Sequence, residues 1–167
     1  MLAVLLQVAL LASGLEEPPP RYVMLLPTVT NPPTAMADIR LAENGQTFPV
    51  AAGTQVSARV KGDLVVPLSD PGRTQIRIEI VLPLLAKNGR TILLPAGTQL
   101  VARVHLLRGQ FSFVGFLFLI LPDGRSVAMP EDAFRLGPGS LLPLQDGAPA
   151  LLTVWRPLRV EAFGPVK

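Results

Sequence analysis

Few residues in this chain are of types that catalyse, and they are poorly spaced for it. A serine nucleophile needs a base beside it, and the one histidine, His105, falls on the outward side of a strand pattern next to Arg103, the place of a solvated structural imidazole. Glu16-Glu17 and Glu131-Asp132 are adjacent acids, which an extended chain points to opposite sides, so neither makes an acid/base pair. One histidine and scattered carboxylates do not assemble a metal site. Gly137-Pro138-Gly139-Ser140 has no phosphate-loop lysine and reads as a plain loop. Arg156 and Arg159 flank Trp155 and are candidates to stack on its ring. The expectation is a chain with no catalytic residues, no metal and no cofactor, hence not an enzyme.

Composition narrows the partners. The chain has 167 residues, 15 Lys and Arg against 12 Asp and Glu, and no cysteine. Disulfides, thiolate chemistry and a lipid-anchoring cysteine are excluded. The basic residues are dispersed, whereas phosphate tracking needs them grouped, so direct nucleic-acid binding is not expected.

The elements divide into three parts. Residues 1–14, MLAVLLQVALLASG, join an uncharged apolar run to small residues and read as an export signal, too short to span a bilayer that needs about 20 apolar residues. Residues 15–46 hold EEPPP and NPP and read as a proline-rich tether, with a short helix expected around Thr34 to Glu43 from Met36, Ile39 and Leu41. Residues 47–167 read as one β domain of small barrel or sandwich type.

Within that domain, Ile76, Ile78, Ile80 and Leu82 alternate with Arg77, Glu79 and Val81, the period of a strand with one buried face. Asn88-Gly89 predicts a type I′ turn that returns this strand onto Thr91 to Leu94. Pro95 and Gly97 predict a second turn, and Leu121-Pro122-Asp123-Gly124-Arg125 a third.

One unit occurs twice. AAGTQVSARV (51–60) and PAGTQLVARV (95–104) share Gly53/Gly97, Thr54/Thr98, Gln55/Gln99, Ala58/Ala102, Arg59/Arg103 and Val60/Val104. Val56, Ala58 and Val60 face inward in the first copy, and Leu100, Ala102, Val104 and Leu106 in the second. Two such turn-plus-strand units can pair pseudo-symmetrically in a closed sheet.

The strand Phe111 to Leu121 carries no charge and four phenylalanines, Phe111, Phe113, Phe116 and Phe118. A doubly apolar strand is central in the sheet, buries its second face on a neighbouring subunit, or belongs to a membrane hairpin, for which no second strand of the sequence matches it. These four rings are the candidate interface, with Arg59, Arg103 and Arg108 as polar contacts.

In this order GTQVSARV, LAKNGRTILLPAGTQLVARV, RGQFSFVGFLFLILPDGRSVAM and the closing GAPALLTVWRPLRVEAF resemble the C-terminal β-barrel domain of the TrbI-like (VirB/TrbI) family, scaffold subunits of bacterial type IV secretion and conjugation systems. The resemblance runs from Thr47 to Met129 and again from Gly147 to Phe163. It implies a distorted barrel whose turn residues are Gly53, Thr54, Asn88, Gly89, Pro95, Gly97, Thr98, Pro122, Asp123 and Gly124. The family's outer-membrane helix pair has no room in Pro130 to Asp146.

The resemblance further implies a structural or assembly role in an envelope-spanning secretion, conjugation or DNA-transfer machine. The chain would be exported to the periplasm or the outer-membrane complex, would assemble as a homo-oligomer with protein partners, and would touch membrane only indirectly. The alternative is a periplasmic binding or chaperone module of the SAF or β-clip type, whose domains share the Pro-x-Gly-Thr turn.

Overall fold

The computed structural model describes residues 21–25, 31–41, 45–62, 74–107, 110–137 and 141–165. The segment expected to be an export signal, residues 15–20 and 26–30 of the expected tether, and Arg108 lie outside these. Every regular element described is a strand, so the all-β expectation holds.

The main sheet curls as half a barrel. Its strands are β1 (Tyr22–Met24), β4 (Gln55–Val60), β5 (Gln75–Ile80), β8 (Gln99–Leu107), β9 (Gln110–Ile120), β11 (Phe134–Gly137), β12 (Leu141–Pro143) and β13 (Pro149–Val154), in the order β11-β13-β4-β5-β8-β9-β1-β12, and β10 (Ser126–Ala128) pairs with β9. A second sheet sets β14 (Leu158–Glu161) between β2 (Ala37–Ile39) and β3 (Thr47–Val50). A third sets β7 (Thr91–Leu94) between β6 (Leu84–Leu85) and β15 (Gly164–Pro165).

Alternation builds the core. β4 buries Val56, Ala58 and Val60 and exposes Gln55, Ser57 and Arg59. Ile76, Ile78 and Ile80 from β5 join Leu100, Ala102 and Val104 from β8, with Leu119, Leu152 and Val160, in one apolar cluster. Burying each of the larger side chains in this set contributes about 1.5–3 kcal/mol.

The structure corrects five expectations. No helix forms over Thr34 to Leu41, the described part of the expected helix; residues 37–39 are β2, parallel to β14. Ala37, Ile39 and Leu41 share one side of an extended chain, with Ile39 and Leu41 buried and Met36 half-exposed, so the apolar period is two. The tether is not wholly outside the sheets either, because Tyr22–Met24 and Ala37–Ile39 are both strands.

The hairpin onto Thr91 to Leu94 is made by β6 and not by the preceding long strand. β5 stops at Ile80, the chain bends at Val81 and Leu82, and Pro83, which has no N–H to give a ladder, separates it from β6. The Asn88-Gly89 turn also closes one residue earlier than a type I′ turn. Gly89 N–H donates to the Ala86 carbonyl at 2.9 Å and Ala86 N–H to that of Thr91 at 2.9 Å, so Lys87 and Asn88 take the central places and Gly89 the positive φ of 66°. The Asn88 side chain accepts from the Arg90 and Thr91 amides at 2.9 and 3.2 Å, a local side-chain cap that favours the wider loop. Finally, Leu106 is half-exposed and Val101 buried, the reverse of simple alternation, because β8 meets β9 with register shifts at Val101/Ala102 and Arg103/Val104.

Candidate functional site

The repeated turns dock by one rule. Gly97 N–H donates to the Ile80 carbonyl at 2.8 Å, and the Thr98 carbonyl accepts from Ile80 N–H at 2.8 Å. Gly53 N–H likewise donates to the Val154 carbonyl at 2.7 Å, and the Thr54 carbonyl accepts from Val154 N–H at 2.8 Å. Each turn is closed internally by the threonine amide, onto Ala51 in one and Pro95 in the other. The glycines sit at φ of 86° and 84°, a region that L side chains avoid.

The pairing extends the equivalence. β13 lies against β4 through Leu152↔Val56 and Ala150↔Ala58 as β5 lies against β8 through Ile78↔Leu100 and Ile76↔Ala102. The two repeats do not pair with each other; β5 stands between them. The repeat therefore encodes a step of two strands along the curl.

Pro122, Asp123 and Gly124 belong to a third turn, beside Gly97. In the 121–125 turn, Gly124 N–H donates to the Leu121 carbonyl at 2.9 Å and Leu121 N–H to that of Arg125 at 2.9 Å. Asp123 accepts from the Arg125 backbone and guanidinium, and those bonds hold its carboxyl below the usual range. A Cβ at Gly97 would lie 3.6 Å from Pro122 Cγ, so the two turns stack edge to edge.

The four phenylalanines divide. Phe116 is fully buried, with Phe113 at 5.2 Å and Phe134 at 6.3 Å in edge-to-face contact, so its ring belongs to the chain's own core and offers no surface to a partner. Phe111 and Phe113 are half-buried against that core. Phe118 is half-buried and stands opposite Val101, while Val114, displaced by the register shift, is 50% exposed. β9 is an interior strand: β8 covers one edge, and β1, then the Glu131 carbonyl accepting from Phe116 N–H at 3.4 Å, then β10 cover the other.

The polar candidates are mostly engaged. Glu79 takes Arg59 at 2.7 Å and Lys61 at 3.2 Å. The Arg59 hydrogen bond above all holds its carboxyl below the ordinary range, against the opposing effect of burial. Arg103 is half-buried, with no ion pair to a described residue, and His105 is exposed opposite Ser112. Asp132 is bound by Arg156 at 2.9 Å. The stacking partner of Trp155 is Arg135, its guanidinium carbon 3.1 Å from the ring centroid, because Arg156 is spent on Asp132 and Ala35 and Arg159 on Asp38. No cluster of three or more His, Asp or Glu suited to a metal ion occurs among the described residues.

Two features were not legible in the sequence. The ends of the curl, β11 and β12, are not paired with each other, and a groove of about 260 Å³ lies by them, lined by apolar residues including Leu25, Leu136, Leu141, Leu142 and Leu151. The second is β1, held between β9 and β12. No long-range pairing of a three-residue strand is written in its local pattern.

No family model matches the chain, and no curated protein matches it. Among solved structures it is similar to ComB10 of the Com Type IV secretion system of Helicobacter pylori. The two are 8% identical, the match covers 70% of this chain and 98% of that one, and the TM-score is 0.44.

Proposed function

We propose that this protein is a non-catalytic structural or assembly module of an envelope-spanning machine of the type IV secretion class, acting through protein contacts on the exported side of the inner membrane. The observation that carries the reading is the pair of docked Gly-Thr turns. Of the segments that resemble the TrbI-like barrel, β13, β4, β8 and β9 lie in one curled sheet, with Gly53 and Gly97 anchored on Val154 and Ile80 in the same way.

The inventory of side chains is in keeping with this reading. Arg59, Arg125, Arg156 and Arg159 are all committed to carboxylates or carbonyls of the chain itself. The groove beside β11 and β12 presents apolar lining without convergent polar groups, so it does not favour the alternative of a small-molecule or chaperone module.

Recovery of the tagged chain from gently solubilised native envelopes tests the reading. Comigration with other type IV envelope subunits in one large particle is expected. A lone species near the chain's own 17.9 kDa, from cells with an intact secretion system, overturns it.

A further inference from the structure

β1 fills a slot one strand wide. It runs parallel to β9 through Val23↔Phe111 and Met24↔Ser112, and antiparallel to β12 through Tyr22↔Pro143, Val23↔Leu142 and Met24↔Leu141. Leu144 N–H donates to the Arg21 carbonyl at 2.8 Å, extending the ladder at one end. β9 and β12 have no ladder to each other among the described residues, so without β1 both edges stand open. Val23 is fully buried in the main core cluster, and Leu142 is buried beside it.

The connection between this strand and its slot is indirect. Everything β1 touches lies far along the chain, and what keeps it on its own body is the stretch 25–36, which carries Pro27, Pro32 and Pro33. The far end of that stretch is firmly clamped. Arg156 donates to the Ala35 carbonyl at 2.9 Å and Arg159 to Asp38 at 2.8 Å, and β2 pairs with β14. β1 itself is held by a short ladder on each edge and one fully buried side chain, and β12 has no described partner but β1, so this end of the sheet opens more readily than the long β8–β9 ladder.

We propose that β1 is an exchangeable donor strand: Tyr22–Met24 of one copy fills the slot between β9 and β12 of the next. The occupant is a second copy of this chain because the slot's register and the Val23 hole are the same in every copy, so an exchanged strand fits as its own does. Each copy gives a strand on one side and receives one on another, a head-to-tail contact that closes as a ring or continues as a filament. The advantage of the chain's own strand is the effective concentration set by its linker, on the order of millimolar for a short flexible one. This rests on the assembly reading above and names its contact.

The chain has no cysteine, so introduced pairs report cleanly. Met24→Cys and Leu141→Cys, at ladder partners of which Leu141 is exposed, are made on separate chains, mixed and treated with a mild thiol oxidant. Met24→Cys mixed with Leu85→Cys, an exposed site on the third sheet, measures chance encounters.

The mixed register pair is expected to give at least about tenfold more cross-chain disulfide than the control near 1 mM protein, falling steeply near 10 μM. A variant lacking residues 26–30 is expected to shift from monomer to larger species in light scattering. Equal yields for the two pairs overturn the exchange even if the shortened variant fails to fold. An oligomer without the register disulfide overturns the exchange and leaves the assembly reading standing. A monomer at every concentration, with no particle recovered from envelopes, overturns both.

Discussion

Thr54 and Thr98 hold the same place in the two docked turns, yet Thr54 donates its hydroxyl to the Ala51 carbonyl at 2.7 Å while the fully buried Thr98 hydroxyl has no partner among the described residues. An unpaired buried hydroxyl costs free energy that a methyl of the same shape does not. Thr98→Val is therefore expected to be neutral or to stabilise by up to about 1 kcal/mol, and Thr54→Val to destabilise by about 0.5–1 kcal/mol. Denaturant unfolding of the two variants checks the opposite signs.

Glu79 gives the fold a pH dependence. Its folded-state pKa lies below the ordinary 4.5, so its ionised form is the one the fold prefers. That contribution is complete above the ordinary value and is lost as pH falls through the lowered native value. With Arg59 and Lys61 each nearly half-exposed, solvent screening limits the effect, and Glu79→Gln is expected to cost about 1 kcal/mol at pH 7. Unfolding curves of the two proteins should converge once the acid limb is passed. A gap that persists undiminished there would assign the loss to packing.

Phe116 and Val114 stand two residues apart in β9 on different footings. Phe116→Ala empties a site between Phe113 and Phe134 and is expected to cost about 3–5 kcal/mol. Val114→Ala, at a half-exposed position, should stay within about 0.5 kcal/mol. Thermal unfolding separates the two.

The clamp on the second sheet is local. Arg159→Ala removes the paired contact with Asp38, and Arg156→Ala frees both the Ala35 carbonyl and Asp132. Arg159→Ala, at a half-exposed pair, is expected to lower stability by about 0.5–1 kcal/mol and Arg156→Ala, at a better-buried site, by about 1–2 kcal/mol. Hydrogen exchange should accelerate at Ala37 to Ile39 while Leu100 to Val104 in β8 keep their protection.

Strong periodicity made much of this fold legible. β4, β5 and the two Gly-Thr turns are where alternation and positive-φ glycines place them, since a six-residue run with one wet face admits one register. β1 and β2 were not legible, because three residues among prolines carry no period and their partners lie more than eighty positions away. Ala37, Ile39 and Leu41 did hold the period of two, but Met36, exposed in the structure, mimicked a helical face. In β9 the four phenylalanines announced a two-sided strand, whereas which ring is core depends on the register shifts opposite Val101 and Arg103, set by pairing and not by composition. The polar pairs follow the same division. Arg59 with Glu79 is a neighbour pair across one ladder, while Arg135 on Trp155 arises only once β11 meets β13.

The proposed role is that of an assembly module in an envelope machine. Chemical cross-linking with mass spectrometry on the tagged protein in native envelopes tests it most directly. Cross-links from this chain to itself and to other type IV envelope subunits, with contacts mapping to sheet edges, are expected. Cross-links confined within single chains, from cells whose secretion system is intact, would contradict it.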